Sequence, residues 1–152
     1  MAKIEITTFI NSSPEVVFDL SRSIDLHLKS TAQTNEKAVA GVTTGLIGLN
    51  ETVTWEAYHL FKTRRFTSKI TEYNFPVTFT DKMIEGDLKY FEHIHHFEKK
   101  DSGTLMTDRI DLEAPFGFLG KIVMAFFLKN YFQKFLTERN AMIKQYAENG
   151  KV

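Results

Sequence analysis

Three places in this sequence hold side chains able to move a proton or ligate a metal ion: Asp81, the His93-Ile94-His95 triplet, and Asp108. On an extended strand, residues two apart share a face, so His93 and His95 project to the same side. An imidazole titrates near neutral pH, and a carboxylate beside it fixes its tautomer. A His–Asp pair can therefore serve as a general acid or base. The same two imidazoles, with an oxygen from Asp81 or Asp108, are also three donors of the kind zinc accepts. A third use is structural, because buried histidine and aspartate can satisfy each other inside a core. Spacing fixes no third metal ligand, so the sequence assigns no metal and no cofactor. Structural or ligand-orienting roles are favoured over catalysis.

These residues must sit on strands, and the chain around them reads as strands. Five runs, roughly 51–61, 64–74, 77–85, 88–99 and 103–114, are separated by turn chemistry at Asn74-Phe75-Pro76, Gly86-Asp87 and Lys100-Asp101-Ser102-Gly103. Short breaks between long strands predict an antiparallel meander. The Lys62-Thr63-Arg64-Arg65 run is expected to be a charged hairpin turn.

The period of two sorts each strand into faces. The more apolar faces carry Val53, Trp55, Ala57, His59 and Phe61; then Phe66, Ser68 and Ile70; then Phe79, Asp81 and Met83. They continue with Phe91, His93, His95 and Phe97, and with Thr104, Met106, Asp108, Ile110 and Leu112. Every one of these rows is mostly apolar, and every one includes a polar group. Buried polar groups are costly unless paired. Five of them on one concave face predict an apolar cavity with a polar end. His27 and His96 are expected on the solvent side.

The remaining segments frame the sheet. Ile4, Ile6, Thr8 and Ile10 alternate as a first strand. Ser13 then caps a helix that opens on Pro14 and runs to about Ser21. A second short helix is expected over Asp25 to Thr31, followed by a polar loop at Gln33 to Glu36. The glycine-punctuated stretch from Ala38 to Gly48 lacks the Gly-Lys-Ser/Thr of a phosphate loop, so a short strand and tight turn are expected.

Phe118 to about Glu148 reads as one long helix with two opposed apolar sets. Leu128, Tyr131, Phe132, Phe135, Met142, Ile143 and Tyr146 share a face, whereas Leu119, Ile122, Val123 and Phe126 lie nearly opposite. One straight helix cannot bury both against one sheet. Either the helix breaks near Phe127 to Asn130, or the first turns cover the cavity mouth or a second subunit.

Composition closes off several classes. The chain has 152 residues, suited to one domain over 1–152, with 43% hydrophobic and 25% charged residues. Lysine plus arginine number 19, matching 19 aspartates and glutamates, so no bulk field draws the chain to nucleic acid. The absence of cysteine excludes disulfides and thiolate chemistry. No stretch is apolar enough for a membrane span and the N-terminus lacks a signal-peptide core, so a cytoplasmic protein is expected. Fourteen phenylalanines, six of them between Phe116 and Phe135, suit an aromatic-lined cavity or an aromatic-rich core.

The pattern resembles the START-like superfamily, also called SRPBCC or the birch-pollen-allergen fold, and within it the bacterial polyketide cyclase/dehydrase-like branch. The resemblance is carried by Ser13-Pro14-Glu15-Val16-Val17-Phe18-Asp19, Glu51-Thr52-Val53-Thr54-Trp55, Phe79-Thr80-Asp81 and Gly86-Asp87-Leu88-Lys89. It continues through His93 to Phe97, Gly103 to Arg109 and Pro115-Phe116-Gly117, and so spans nearly the whole chain. It implies an α+β helix-grip fold: a curved antiparallel sheet of about six to seven strands, two short helices, and a long C-terminal helix over the concave face. It also implies a deep cavity for a small hydrophobic molecule such as a lipid or polyketide. The expected ligand-binding residues are Trp55, His59, Phe79, Asp81, Met83, Phe91, His93, His95, Asp108, Leu128, Tyr131 and Phe135. The alternative is a cyclase or dehydratase using a His/Asp acid–base pair in the same cavity. A homodimer through Leu119, Ile122, Val123 and Phe126 is a further expectation.

Overall fold

The computed structural model describes residues 1–59 and 61–150, with the side chains of His59 and Met124 excepted. Strand β1 covers Ala2–Ile10, and helices α1 (Pro14–Ser21) and α2 (Ile24–Ser30) follow it. Strands β2 (Lys37–Gly41), β3 (Thr52–His59), β4 (Lys62–Asn74), β5 (Thr78–Glu85), β6 (Tyr90–Lys100) and β7 (Gly103–Glu113) complete a sheet of order β1-β7-β6-β5-β4-β3-β2. Every pairing is antiparallel. Helix α3 (Gly117–Val123), a π-helical turn at Met124–Leu128, and helix α4 (Lys129–Asn149) then pack across the sheet.

Local chemistry explains the boundaries. The Ser13 hydroxyl accepts from the Val16 amide and Pro14 opens α1, while the Ser23 hydroxyl accepts from Leu26 and starts α2. Two sharp bends bring β2 and β3 together, and Gly41 allows the approach. Its φ is 72°, and a Cβ there would collide with the Thr52 carbonyl. Gly120 plays a similar part in α3, whose backbone lies against the Pro115 carbonyl where any side chain would clash.

Strand parity holds cleanly through β6 and β7. Phe91, His93, His95 and Phe97 are buried, as are Thr104, Met106, Asp108, Ile110 and Leu112. In β3 it fails at the end. Phe61, expected to point inward, has a φ of 67° and is 91% exposed, because it lies in the β3–β4 turn beyond the last strand residue. The Lys62–Arg65 run, expected to be that turn, instead begins β4. Its charges pair outward, Arg65 with Glu56 on β3 and Arg64 with Asp87 in the β5–β6 connection.

Two apolar clusters form the core. One gathers Phe18, Val17, Phe79, Phe97, Met106 and Ile143 beneath α1 and the end of α4. The other gathers Ile4, Phe91, Ile110, Leu112 and Leu136. Between the sheet and the helices the packing opens.

The C-terminal helix changes character at the π turn, slightly ahead of the expected break. Leu119, Val123, Phe127, Tyr131, Phe135 and Arg139 all face the opening, at every fourth residue. A helix of 3.6 residues per turn over-rotates by about 40° at each such step. The wider turn at Met124–Leu128 takes back part of that drift and keeps one stripe facing the sheet. Leu119 and Val123 therefore turn toward the cavity mouth while remaining 67% and 47% exposed. Ile122 and Phe126 point away from it, and no described helix is long and apolar enough to cross a membrane.

Candidate functional site

The opening is a cavity of about 720 Å³, walled by β3–β6 on one side and by α2 and the C-terminal helix on the other. Its apolar wall comes from inward strand residues such as Val53, Ala57, Phe66, Ile70 and Phe91, facing Leu128, Phe132 and Phe135. Asp81, His93, His95 and Arg139 form a polar wall, with Ser68 nearby on β4.

The polar wall grows from cross-strand register. Asp81 on β5 lies opposite His93 on β6, and Asp108 on β7 lies opposite His95. The shortest hydrogen bonds run along the diagonals. His95 Nε2 lies 2.7 Å from Asp81 Oδ2, and His93 Nε2 lies 2.8 Å from Asp108 Oδ1. The two imidazoles overlap, with ring centroids 3.7 Å apart, and the Phe79 ring stacks on His95 at 4.0 Å.

Asp108 is the anchor. Its side chain is fully buried behind the histidines, where Asn140 Nδ2 donates to Oδ2 at 2.7 Å and Arg139 Nη1 reaches Oδ1 at 3.4 Å. Arg139 is held in turn by the Asn140 side-chain oxygen at 2.9 Å and the Ser21 carbonyl at 3.2 Å. Burial opposes ionisation of Asp108. The Arg139 charge and the hydrogen bonds from His93 and His95 overcome it and hold the carboxyl well below its ordinary range. Asp81 behaves alike: burial raises it, but the His95 hydrogen bond and the nearby His93 win, and it is lowered. Burial and then the neighbouring His95 push His93 down to about 4, against the pull of Asp108 and Asp81. His93 is thus neutral at pH 7 and donates from Nε2 to Asp108.

A second polar feature stands near the mouth. His27 packs its ring 4.1 Å from Trp55 and holds Glu36 Oε1 at 2.6 Å from Nε2. Tyr131 lies close by, its phenol pushed up to about 12 by burial and then by Glu36, so it stays protonated.

Of the residues expected at the site, Trp55, Phe79, Asp81, Phe91, His93, His95, Leu128, Tyr131 and Phe135 line the cavity. Asp108 does not; the histidines screen it, and it orients them rather than meeting the space. Met83 also falls outside the lining, packed into the second apolar cluster beside Phe66 and Leu88. The His59 side chain lies outside the described residues. His27, expected on the solvent side, lines the cavity with its ring packed against Trp55 of β3, while His96 is exposed as expected. Arg139 and Asn140 were not foreseen. A signal existed: Arg139 stands four residues after Phe135 and seven after Phe132, in the middle of the apolar stripe.

No protein-family model matches the sequence, and no curated protein matches it. Solved structures match across nearly the whole chain. A START superfamily protein from Mycobacterium smegmatis superposes with a TM-score of 0.71 at 12% identity, covering 97% of both chains. Ara h 8.0201 gives 0.70 at 16% identity, covering 96% of this chain and 97% of its own. The major latex-like protein 151 of Panax ginseng gives 0.69 at 18% identity with the same coverage. With a seven-stranded antiparallel sheet gripping a long C-terminal helix, and these neighbours along its full length, the chain has the START-like, birch-pollen-allergen type of helix-grip fold.

Proposed function

We propose that this protein binds and carries a small hydrophobic molecule, a lipid, polyketide or similar compound, in the cavity between sheet and helix. The observation that supports this is the division of a roughly 720 Å³ space into a long apolar wall and one compact polar wall. A drug-sized or lipid-sized molecule fits that volume. Apolar burial at about 25 cal/mol per Å² supplies affinity, and a polar end group orients against Asp81 and His95. The experiment is extraction of the purified protein into organic solvent followed by mass spectrometry. A recurrent apolar compound near one per chain is expected. Protein that yields none, and that takes up no apolar probe when one is offered, would remove the proposal.

A second reading, a cyclase or dehydratase using proton transfer, is favoured by the 2.7 Å His95–Asp81 pair on the cavity wall. Turnover of the extracted compound, lost in His95→Ala while binding persists, would support it. Self-association is a finer element of the same proposal. It uses the outward Ile122 and Phe126, and light scattering on Phe126→Glu tests it. A lower mass than the wild type supports the contact, and an unchanged mass withdraws it.

A further inference from the structure

We propose that the polar wall is a binding site for one divalent first-row transition-metal ion, with Asp81, His93 and His95 as ligands and Asp108 as the outer carboxylate that orients both imidazoles. The site stands on the geometry of that wall and not on which molecule fills the apolar space.

The three ligand atoms lie within 4.8 Å of one another. Asp81 Oδ2 is 2.7 Å from His95 Nε2 and 3.8 Å from His93 Nδ1. An ion with ligands at about 2.1 Å places neighbouring donors about 3.0–3.4 Å apart in octahedral or tetrahedral geometry. The two measured separations bracket that range, and the two imidazole donors, within 4.8 Å of each other, close toward it by side-chain rotation.

The state of His93 points the same way. It donates its Nε2 proton to Asp108, so Nδ1 carries a lone pair, and that lone pair faces the Asp81 carboxylate. Two acceptors turned toward each other inside a protein repel, and a cation between them removes the conflict. His95 Nδ1 lies 3.1 Å from the same Asp108 oxygen that holds His93. Metal binding displaces the proton that His95 Nε2 donates to Asp81; carried on Nδ1 instead, that proton faces Asp108. One buried carboxylate then orients both ligating imidazoles, the arrangement that metal-bound histidines ordinarily show.

Arg139 Nη2, a donor only, lies 3.4 Å from His95 Nδ1, and it must yield that nitrogen to Asp108 when the His95 proton sits there. Its charge offsets Asp108 and leaves Asp81 to offset the ion. Two imidazoles and one carboxylate suit zinc or iron(II) better than calcium or magnesium. All three ligands lie on the protein side, so the remaining coordination positions open into the cavity. An oxygen-bearing end group of an apolar molecule can take one of them.

The test uses the full chain, stripped with a chelator and then titrated with Co²⁺ and, in competition, Zn²⁺. One Co²⁺ per chain is expected, with visible d–d bands displaced by one equivalent of Zn²⁺. Asp81→Ala and His93→Ala should each weaken binding about 100-fold or more, and Asp108→Asn about 10- to 100-fold with the stoichiometry kept. Binding of neither ion, or wild-type affinity in Asp81→Ala, overturns the site. Asp81 is the partly exposed ligand and its substitution should leave the fold intact, which circular dichroism checks. Should His93→Ala not fold, ¹⁵N spectra of the wild-type histidine rings replace it: Zn²⁺ must shift His93 and His95, and shifts confined to His27 or His96 overturn the site. Uptake of an apolar fluorescent probe by the same samples reports separately on the cavity, so either reading can fail without the other.

Discussion

Asp108 hydrogen-bonds His93 at 2.8 Å although its partner in the strand register is His95. The β6 histidines, tilted against each other, share this one carboxylate, while Arg139 and Asn140 from α4 hold it from behind. The sheet and the C-terminal helix are thereby joined by a buried charged network as well as by apolar packing.

Removing the anchor should therefore unlock the helix. Asp108→Ala leaves Arg139 buried without its carboxylate, and breaking a buried pair in this way costs about 3–5 kcal/mol. Urea denaturation should show a lower midpoint of that order. A loss below about 1 kcal/mol would mean that Arg139 finds water and the network contributes little.

Acid should destabilise the chelator-treated protein in a defined window. His93 falls from an ordinary 6.5 to about 4 in the folded state, so below pH 6.5 the unfolded chain takes up a proton that the folded chain refuses. Stability is full above about pH 6.5 and declines as the pH drops toward 4. The lowered Asp108 extends the loss below that, because unfolding lets it protonate. Urea midpoints measured between pH 8 and pH 3.5 test this. His93→Gln, where it folds, should flatten the upper part of the slope.

The start of α3 depends on a missing side chain. Gly120→Val places a Cβ against the Pro115 carbonyl, which no rotamer can avoid. A loss of about 1–3 kcal/mol is expected. Hydrogen exchange should speed up over residues 117–128 and stay unchanged in β6. Unchanged exchange over 117–128 would show that α3 shifts without cost.

Much of this architecture was legible as period. Strands β6 and β7 alternate without interruption, so His93, His95 and Asp108 were placed on the inward face from the sequence, and Ser13-Pro14 marked the first helix. Three things were not legible. Parity assigns a face but not a depth, so it could not tell that Asp108 sits behind the histidines. Phe61 extends an alternating run, and only the left-handed backbone at that position reveals that the strand has already ended. Arg139 was hidden because a charged residue on an apolar stripe reads as a gap in the pattern, and its partners lie on β7 and α1, far away in sequence. The opposed apolar sets of the C-terminal helix left open a break or first turns facing elsewhere; the π turn at Met124–Leu128 brings Leu119 and Val123 to the opening and leaves Ile122 and Phe126 outside it.

The cavity itself is tested most directly by the fluorescence of Trp55, the one tryptophan, which lines the wall beside His27. Titration with a long-chain apolar probe should shift its emission along a saturable curve with one site per chain. Ala57→Phe, which pushes a ring into the space from β3, should weaken that binding about tenfold or more while the fold is retained. Emission that does not respond, or a response that Ala57→Phe leaves untouched, would contradict the proposal that an apolar molecule occupies this cavity.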